Sequence, residues 1–190
     1  TYTTDVAANG NSKSRLAFAH KRKDVHALNQ AIRSALRSEK DAPPETLFAT
    51  DTGKRAFAAE DRIVFPRHDK DIGVKNGMVG TVLAAQDGKI EVALDGDKKR
   101  VVQFEPQKFQ SFDHGYAVTI HKSQGATIDQ SYVLASRSMD RHLAYVAMTR
   151  HREGMRLFIS NRDAPTWSKD HSRLQQMRTR PRGRDGPSMG

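Results

Sequence analysis

With 190 residues and 36% hydrophobic content, the chain is long enough for one lean-cored domain carrying a smaller insertion. No apolar run approaches the roughly 20 residues a membrane span needs. A surplus of 32 Lys and Arg over 22 Asp and Glu, a formal charge of +10, makes a field that draws polyanions, nucleic acid first. Part of that surplus lies in the Arg173, Arg178, Arg180, Arg182 and Arg184 stretch, and such tails are often only solvated. The absence of cysteine excludes a disulfide framework and a thiolate zinc site. With no signal-peptide pattern the expected location is cytoplasmic. The Thr-rich start without a Met predicts a piece cut from a longer protein.

Arg15 to His20 is a short apolar run of the buried-strand type. From Lys23 onward Val25, Leu28, Ile32, Ala35 and Leu36 recur at helical spacing, so a strand feeds an amphipathic helix. Asp41-Ala42-Pro43-Pro44 is expected to stop that helix. The next part is β-type: Ala56-Phe57-Ala58, Arg62 to Phe65, Gly80 to Leu83, Lys89 to Leu94 and Arg100 to Phe104. Asn76-Gly77, Asp87-Gly88 and Asp95-Gly96-Asp97 between them suit tight hairpin turns. These runs predict a small antiparallel barrel or meander, with Phe65 and Phe104 in its core.

After Pro106 the α/β pattern returns. Ala117 to Ser123 reads as a short helix, Ser131 to Leu134 as a strand, Met139 to Arg150 as a helix capped by Ser138 or Asp140, and Arg156 to Ile159 as a strand. A last short helix is expected from Ala164 to Met177, with Trp167 and Leu174 packing. Residues 178 to 190 read as a disordered basic tail. A β-module flanked on both sides by α/β sequence indicates an insertion into one domain.

Two segments concentrate the chemistry. Gly115-Tyr116-Ala117-Val118-Thr119-Ile120-His121-Lys122-Ser123-Gln124-Gly125-Ala126-Thr127 sets hydroxyl, cationic and amide groups ahead of a glycine, all suited to phosphate oxygens or a ribose. On spacing alone a capped surface helix uses the same residues. Tyr145-Val146-Ala147-Met148-Thr149-Arg150 ends in an arginine with no acid four residues before it. That arginine suits either a surface carboxylate or a transferring γ-phosphoryl group. No Gly-x-x-x-x-Gly-Lys-Ser/Thr phosphate loop occurs, so if ATP is the fuel the chain holds only part of its site. The 8 histidines lack metal-ligand spacing, and no metal site is expected. No Ser/His/Asp set has local support.

The Gly115 to Gly125 segment resembles motif V of superfamily 1 DNA helicases of the RecD-like branch, and Tyr145 to Arg150 resembles their motif VI. Ala17-Phe18-Ala19-His20 with Asp24-Val25 and Leu28-Asn29 is similar to their looser motif IV. The order and spacing, and the run from Asp61-Arg62-Ile63-Val64-Phe65 through Asn76-Gly77 to Thr149-Arg150-His151, are similar to the helicase portion of TraA/MobA-type conjugative relaxases. The resemblance covers most of residues 15 to 160.

It implies an α/β, RecA-like second motor domain with a parallel sheet, carrying an inserted SH3-like β-barrel. Residues 1–54 and 111–177 would form the RecA-like part, 55–110 the insertion and 178–190 the tail. It also implies Arg150 as an arginine finger, with Gln124, Gly125 and Arg150 near the nucleotide. Thr119, His121, Lys122 and Ser123 would meet single-stranded DNA. Lys70, Lys75, Lys98, Lys99 and Arg100 are electrostatic candidates for the insertion's grip on a strand, though charged hairpin tips also simply keep a sheet soluble. ATP and Mg2+ would serve the full-length protein, with an upstream motor domain of the same polypeptide as partner. The phosphate loop and the acidic magnesium motif are missing here, so the chain alone is expected to be inactive. Relaxase tyrosine chemistry would belong elsewhere, since neither Tyr116 nor Tyr145 is expected to be exposed. The alternative is a non-catalytic nucleic-acid-binding module with a RecA-like shell.

Overall fold

The computed structural model describes residues 1–10, 13–37, 42–96, 100–123, 128–160, 163–165 and 167. Its first elements are α1 (Tyr2–Asn9), β1 (Arg15–Ala19), α2 (Arg22–Leu36), β2 (Thr46–Thr50), β3 (Gly53–Phe57), β4 (Arg62–Phe65), β5 (Met78–Gln86), β6 (Lys89–Leu94) and β7 (Val101–Phe104). There follow β8 (Asp113–His114), β9 (Ala117–Thr119), a 3-10 turn (Ile120–Ser123), β10 (Ile128–Ala135), α3 (Arg141–Met148) and β11 (His151–Ile159).

Strand β1 is buried at all five positions, as a strand covered on both faces of a parallel sheet must be. It pairs in parallel with β9 on one side and β10 on the other, and β11 adds a fourth parallel strand in the order β11-β10-β1-β9. Successive strand residues point to opposite layers. Leu16, Phe18, Val118, Val133 and Ala135 pack with Ala144, Ala147 and Met148 of α3 and with Trp167. Ala17, Ala117 and Tyr132 instead meet Tyr2 of α1 and Ile32 of α2. The sheet is thus sandwiched between helices, an α/β architecture.

Three expectations need correction. Helix α1 lies where none is expected: the Thr1 hydroxyl accepts from the Thr4 N–H at 3.4 Å, and Tyr2 is drawn into the core with its ring 5.0 Å from that of Tyr132. Burial there pushes the Tyr2 hydroxyl up to about 12. Helix α2 ends at Leu36, with Arg37 at its C-cap, ahead of the proline pair expected to stop it; Ser38 to Asp41 lie outside the described residues. Ala117 to Ser123 is a strand and a 3-10 turn, not a helix: the β-branched Val118, Thr119 and Ile120 suit the pleat, and Ala117 to Thr119 pair with Ala17 to Ala19. Of the last expected helix, Trp167 is buried and donates to the Met139 carbonyl at 2.7 Å, while Leu174 and the tail lie outside the described residues.

The second sheet is antiparallel, in the order β7-β6-β5-β4-β8, beside a separate β2-β3 hairpin. Its core holds Phe57, Ile63, Phe65, Ile90, Val92, Phe104 and Phe112, with the Phe65 and Phe104 rings edge-on at 5.7 Å. Asp87 and Gly88 take φ of 53° and 71°, the two positive values that a type I′ turn between β5 and β6 requires. The chain leaves this sheet at His114, and Gly115 follows so close to β4 that a Cβ would lie 2.5 Å from the Ile63 carbonyl oxygen.

The two sheets share a seam. Val64 and Val79 join the core on the α3 face of the parallel sheet. Asp61, just ahead of β4, is buried and accepts from Arg33 Nε at 3.0 Å, the Tyr116 hydroxyl at 2.7 Å and the Ala58 N–H at 2.8 Å. One carboxylate therefore ties the module to α2 and to the start of β9.

Candidate functional site

The polar chemistry gathers at the two ends of the parallel strands. At the carboxyl end, Thr119 closes β9 beside Ala19 of β1, and His20 follows. The His20 ring lies 6.0 Å from that of His121, and its Nδ1 is 3.0 Å from the Ser138 hydroxyl, which sits 3.1 Å from that of Ser136. The chain leaves β1 toward β9 on one side, while β10 leads to β11 on the other. The crevice between the ends of β1 and β10 is therefore the topological switch point, where open α/β sheets bind ligands. Thr119 is half-buried and His121 exposed. His121 reaches this crevice through its ring contact with His20, which Ser138 joins, whereas Thr119 ends β9 on the far side of β1; in the sequence His20 figures only in the motif IV resemblance and Ser138 only as a helix-cap candidate.

Arg150 lies at the opposite end of the strands, in the bend between α3 and β11. Its carbonyl accepts from Ile128, the first residue of β10, at 3.1 Å. Its Nε is buried and has no hydrogen-bond partner among the described residues. An arginine held this way has a donor to give, and an anionic oxygen arriving from outside is the chemistry that suits it. At about 3.3 Å per residue, the eight residues of β10 separate Arg150 from the Thr119 end by about 25 Å. Thr119 and Arg150 therefore stand at opposite ends of the parallel sheet. Ile128 comes three residues after Gly125 in the sequence; Gln124 and Gly125 themselves, and the side chains of Lys122 and Ser123, lie outside the described residues.

Helix α3 starts as anticipated at an acidic cap: the Asp140 carboxylate accepts from the Leu143 N–H at 2.7 Å. It turns Ala144, Ala147 and Met148 inward, which leaves Tyr145 on the outer face and 57% exposed, contrary to expectation. Tyr116 is buried as expected, and burial first, then the neighbouring Asp61 carboxylate, raises its hydroxyl far above the ordinary range.

Asn29 of α2 explains how β9 is held. Its side-chain oxygen accepts from the Tyr116 and Ala117 N–H groups at 2.9 Å each, and its amide donates to the Ala117 carbonyl at 3.0 Å. A helix side chain thus satisfies backbone groups of an edge strand. Of the module's electrostatic candidates, Lys70 and Lys75 are exposed, Arg100 donates to the Gly73 carbonyl, and Lys98 and Lys99 lie outside the described residues. Among the described residues no three His, Asp or Glu gather to hold a metal, and no helix is long and apolar enough to cross a membrane.

Residues 19–159 match the model of the viral superfamily 1 RNA helicase core domain. The conjugal transfer protein TraA of Rhizobium radiobacter is 47% identical over 152 residues, which are 80% of this chain and 14% of that protein. The ATP-dependent RecD2 DNA helicase of Deinococcus radiodurans is 28% identical over 62% of this chain and 16% of its own length. The chain thus spans a small part of the curated relatives it matches. Among solved structures, a Pif1 helicase from Bacteroides in complex with ADP-AlF3 and ssDNA superimposes with a TM-score of 0.59 at 21% identity, over 90% of this chain and 47% of that one. At that identity the likeness speaks for the fold, RecA-like α/β with a parallel sheet.

Proposed function

Since the chain belongs to the superfamily 1 helicase core family, in its RecD-like branch, we propose that it is the second motor domain of an ATP-dependent DNA helicase serving conjugative DNA transfer. The choice of DNA over RNA rests on relatives named for conjugal transfer and DNA unwinding. The observation that carries the reading is the separation of the two strand ends: at one, a half-buried arginine whose Nε has no hydrogen-bond partner among the described residues, and at the other, hydroxyl and imidazole groups. A motor needs two such places, one for the fuel and one for the track.

In this reading Arg150 is the arginine finger, its guanidinium aimed at the charge that builds on a transferring phosphoryl group. Gln124 and Gly125, ahead of Ile128, lie near the nucleotide. Thr119, His121, Lys122 and Ser123 contact single-stranded DNA, with His20 and Ser138 lining the same crevice. The phosphate loop and the carboxylates for Mg2+ belong to an upstream motor domain of the same polypeptide, which closes on the Arg150 end. When bound, Mg2+ offsets phosphate charge. The five-stranded antiparallel sheet is read as an SH3-like insertion spanning residues 55–110 within a RecA-like domain formed by 1–54 and 111–177, followed by a basic tail at 178–190.

The test uses the full-length protein. Arg150→Ala should abolish DNA-stimulated ATP hydrolysis and leave single-strand binding largely intact. Unchanged turnover would overturn the finger role.

A further inference from the structure

Buried polar atoms without a hydrogen-bond partner are costly, and each calls for a reason. Among the described residues they are Arg15 Nε, Arg62 Nε, the Ser131 hydroxyl, Arg150 Nε and His151 Nδ1. Two of these belong to side chains anchored through their other nitrogens: Arg15 donates to the Gly10, Lys13 and Asp5 carbonyls, and Arg62 to Asp95 and the Thr81 hydroxyl. Ser131 is a lone hydroxyl inside the buried run of β10. Arg150 and His151 differ. They are consecutive, and among the described residues no hydrogen bond or ion pair anchors either side chain.

Both stand at one point of the fold. Arg150 lies in the bend after α3, and His151 opens β11, where it pairs with Ile128. Consecutive Cα atoms are about 3.8 Å apart, so one ligand lies within reach of both side chains. Each side chain is half-buried, and a change of rotamer brings its unmet nitrogen to the surface. The guanidinium donates in a planar fork, and the imidazole adds a single Nδ1–H donor. A carboxylate is filled by the fork alone. A chain of phosphates, with oxygens spread along it, takes both donors.

We propose that His151 donates from Nδ1 to an oxygen of the nucleotide's phosphate chain, beside the group that Arg150 meets, and so is a second nucleotide contact at this end of the sheet. The proposal rests on the reading of Arg150 as the arginine finger. The two residues divide the work: Arg150 answers the charge that builds during transfer, whereas His151 holds the phosphate chain equally before and during it. Loss of the first kind of contact lowers kcat, and loss of the second raises KM and leaves kcat in place.

The test is steady-state ATP hydrolysis by the full-length protein with a saturating dT20 oligonucleotide, beside equilibrium binding of mant-labelled β,γ-imido-ATP. An asparagine amide puts a donor where the histidine Nδ1 stands, and a glutamine amide puts it at the place of Nε2. His151→Gln should raise KM for ATP about tenfold at unchanged kcat and weaken analogue binding by the same factor. His151→Asn should return both close to the parent. If the two variants behave alike, both like the parent or both weakened, the Nδ1 contact is overturned. If Arg150→Ala abolishes turnover while His151→Gln keeps the parent KM, the proposal falls and the finger reading stands. If Arg150→Ala keeps turnover, the finger reading falls and takes the proposal with it. Every variant should bind dT20 as the parent does; lost binding in His151→Gln would mark a folding role and overturn the proposal.

Discussion

In the parallel sheet, β1 is buried at every position and polar side chains gather beyond the strand ends; in the antiparallel module, β6 and β7 alternate buried and less buried residues along their length. The difference follows from how each sheet is covered. Helices on both faces of the parallel sheet leave its ends open to a ligand, and the roles proposed for Thr119, His121 and Arg150 lie at those ends. The module keeps one outer face free and meets the parallel sheet at its border, through the Asp61 seam.

The most severe way to break that division is at the seam. Asp61→Ala removes the buried carboxylate that Arg33 and Tyr116 share; Arg33 keeps Glu45 at 2.8 Å, and the buried donors left unmet cost about 1–3 kcal/mol. Urea unfolding followed by both Trp167 fluorescence and far-UV circular dichroism should show the parent unfolding in one transition and the variant weakened by that amount. Retained stability would mean that the module and the parallel sheet are held together elsewhere.

A gentler probe is His114, where β8 returns to the parallel sheet and the ring nitrogen lies 2.9 Å from the Ala56 carbonyl. Burial, the largest cause, lowers its pKa below the ordinary value. Between that lowered value and about 6.5 the unfolded chain binds the proton and the folded chain does not. Its contribution to stability is therefore full above about pH 6.5 and is lost as pH falls through the window, by at most about 1.4 kcal/mol per pH unit. Urea midpoints at pH 7.5 and 5.5 should fall further for the parent than for His114→Gln. Equal losses would place the ring in solvent-like surroundings.

Much of this was legible beforehand, and the failures have physical causes. The module's strands showed because Asn-Gly, Asp-Gly and alternating apolar residues act locally, as Asp87-Gly88 does. Strand β1 and helix α2 showed by their periodicity. The α1 helix did not, because Tyr2 is recruited by Tyr116 and Tyr132, more than a hundred residues away in sequence. Val118 to Ile120 misled because the pairing of β9 with β1 is equally distant. Motif order put forward Thr119, His121 and Arg150 as candidates, yet the separation of Thr119 and Arg150 depends on strand direction, which no local pattern carries. Asn29, Asp61 and His20 were missed as site builders because each acts through contacts across the fold.

The division between the strand ends is tested most directly by one measurement: ATP hydrolysis by the full-length protein titrated with dT20. Thr119→Val/His121→Ala should raise the DNA concentration needed for half-maximal stimulation and preserve the plateau rate, whereas the parent and Arg150→Ala should bind DNA alike. A collapsed plateau in Thr119→Val/His121→Ala, with its half-maximal DNA concentration unchanged, would contradict the assignment of fuel and track to opposite ends of the sheet.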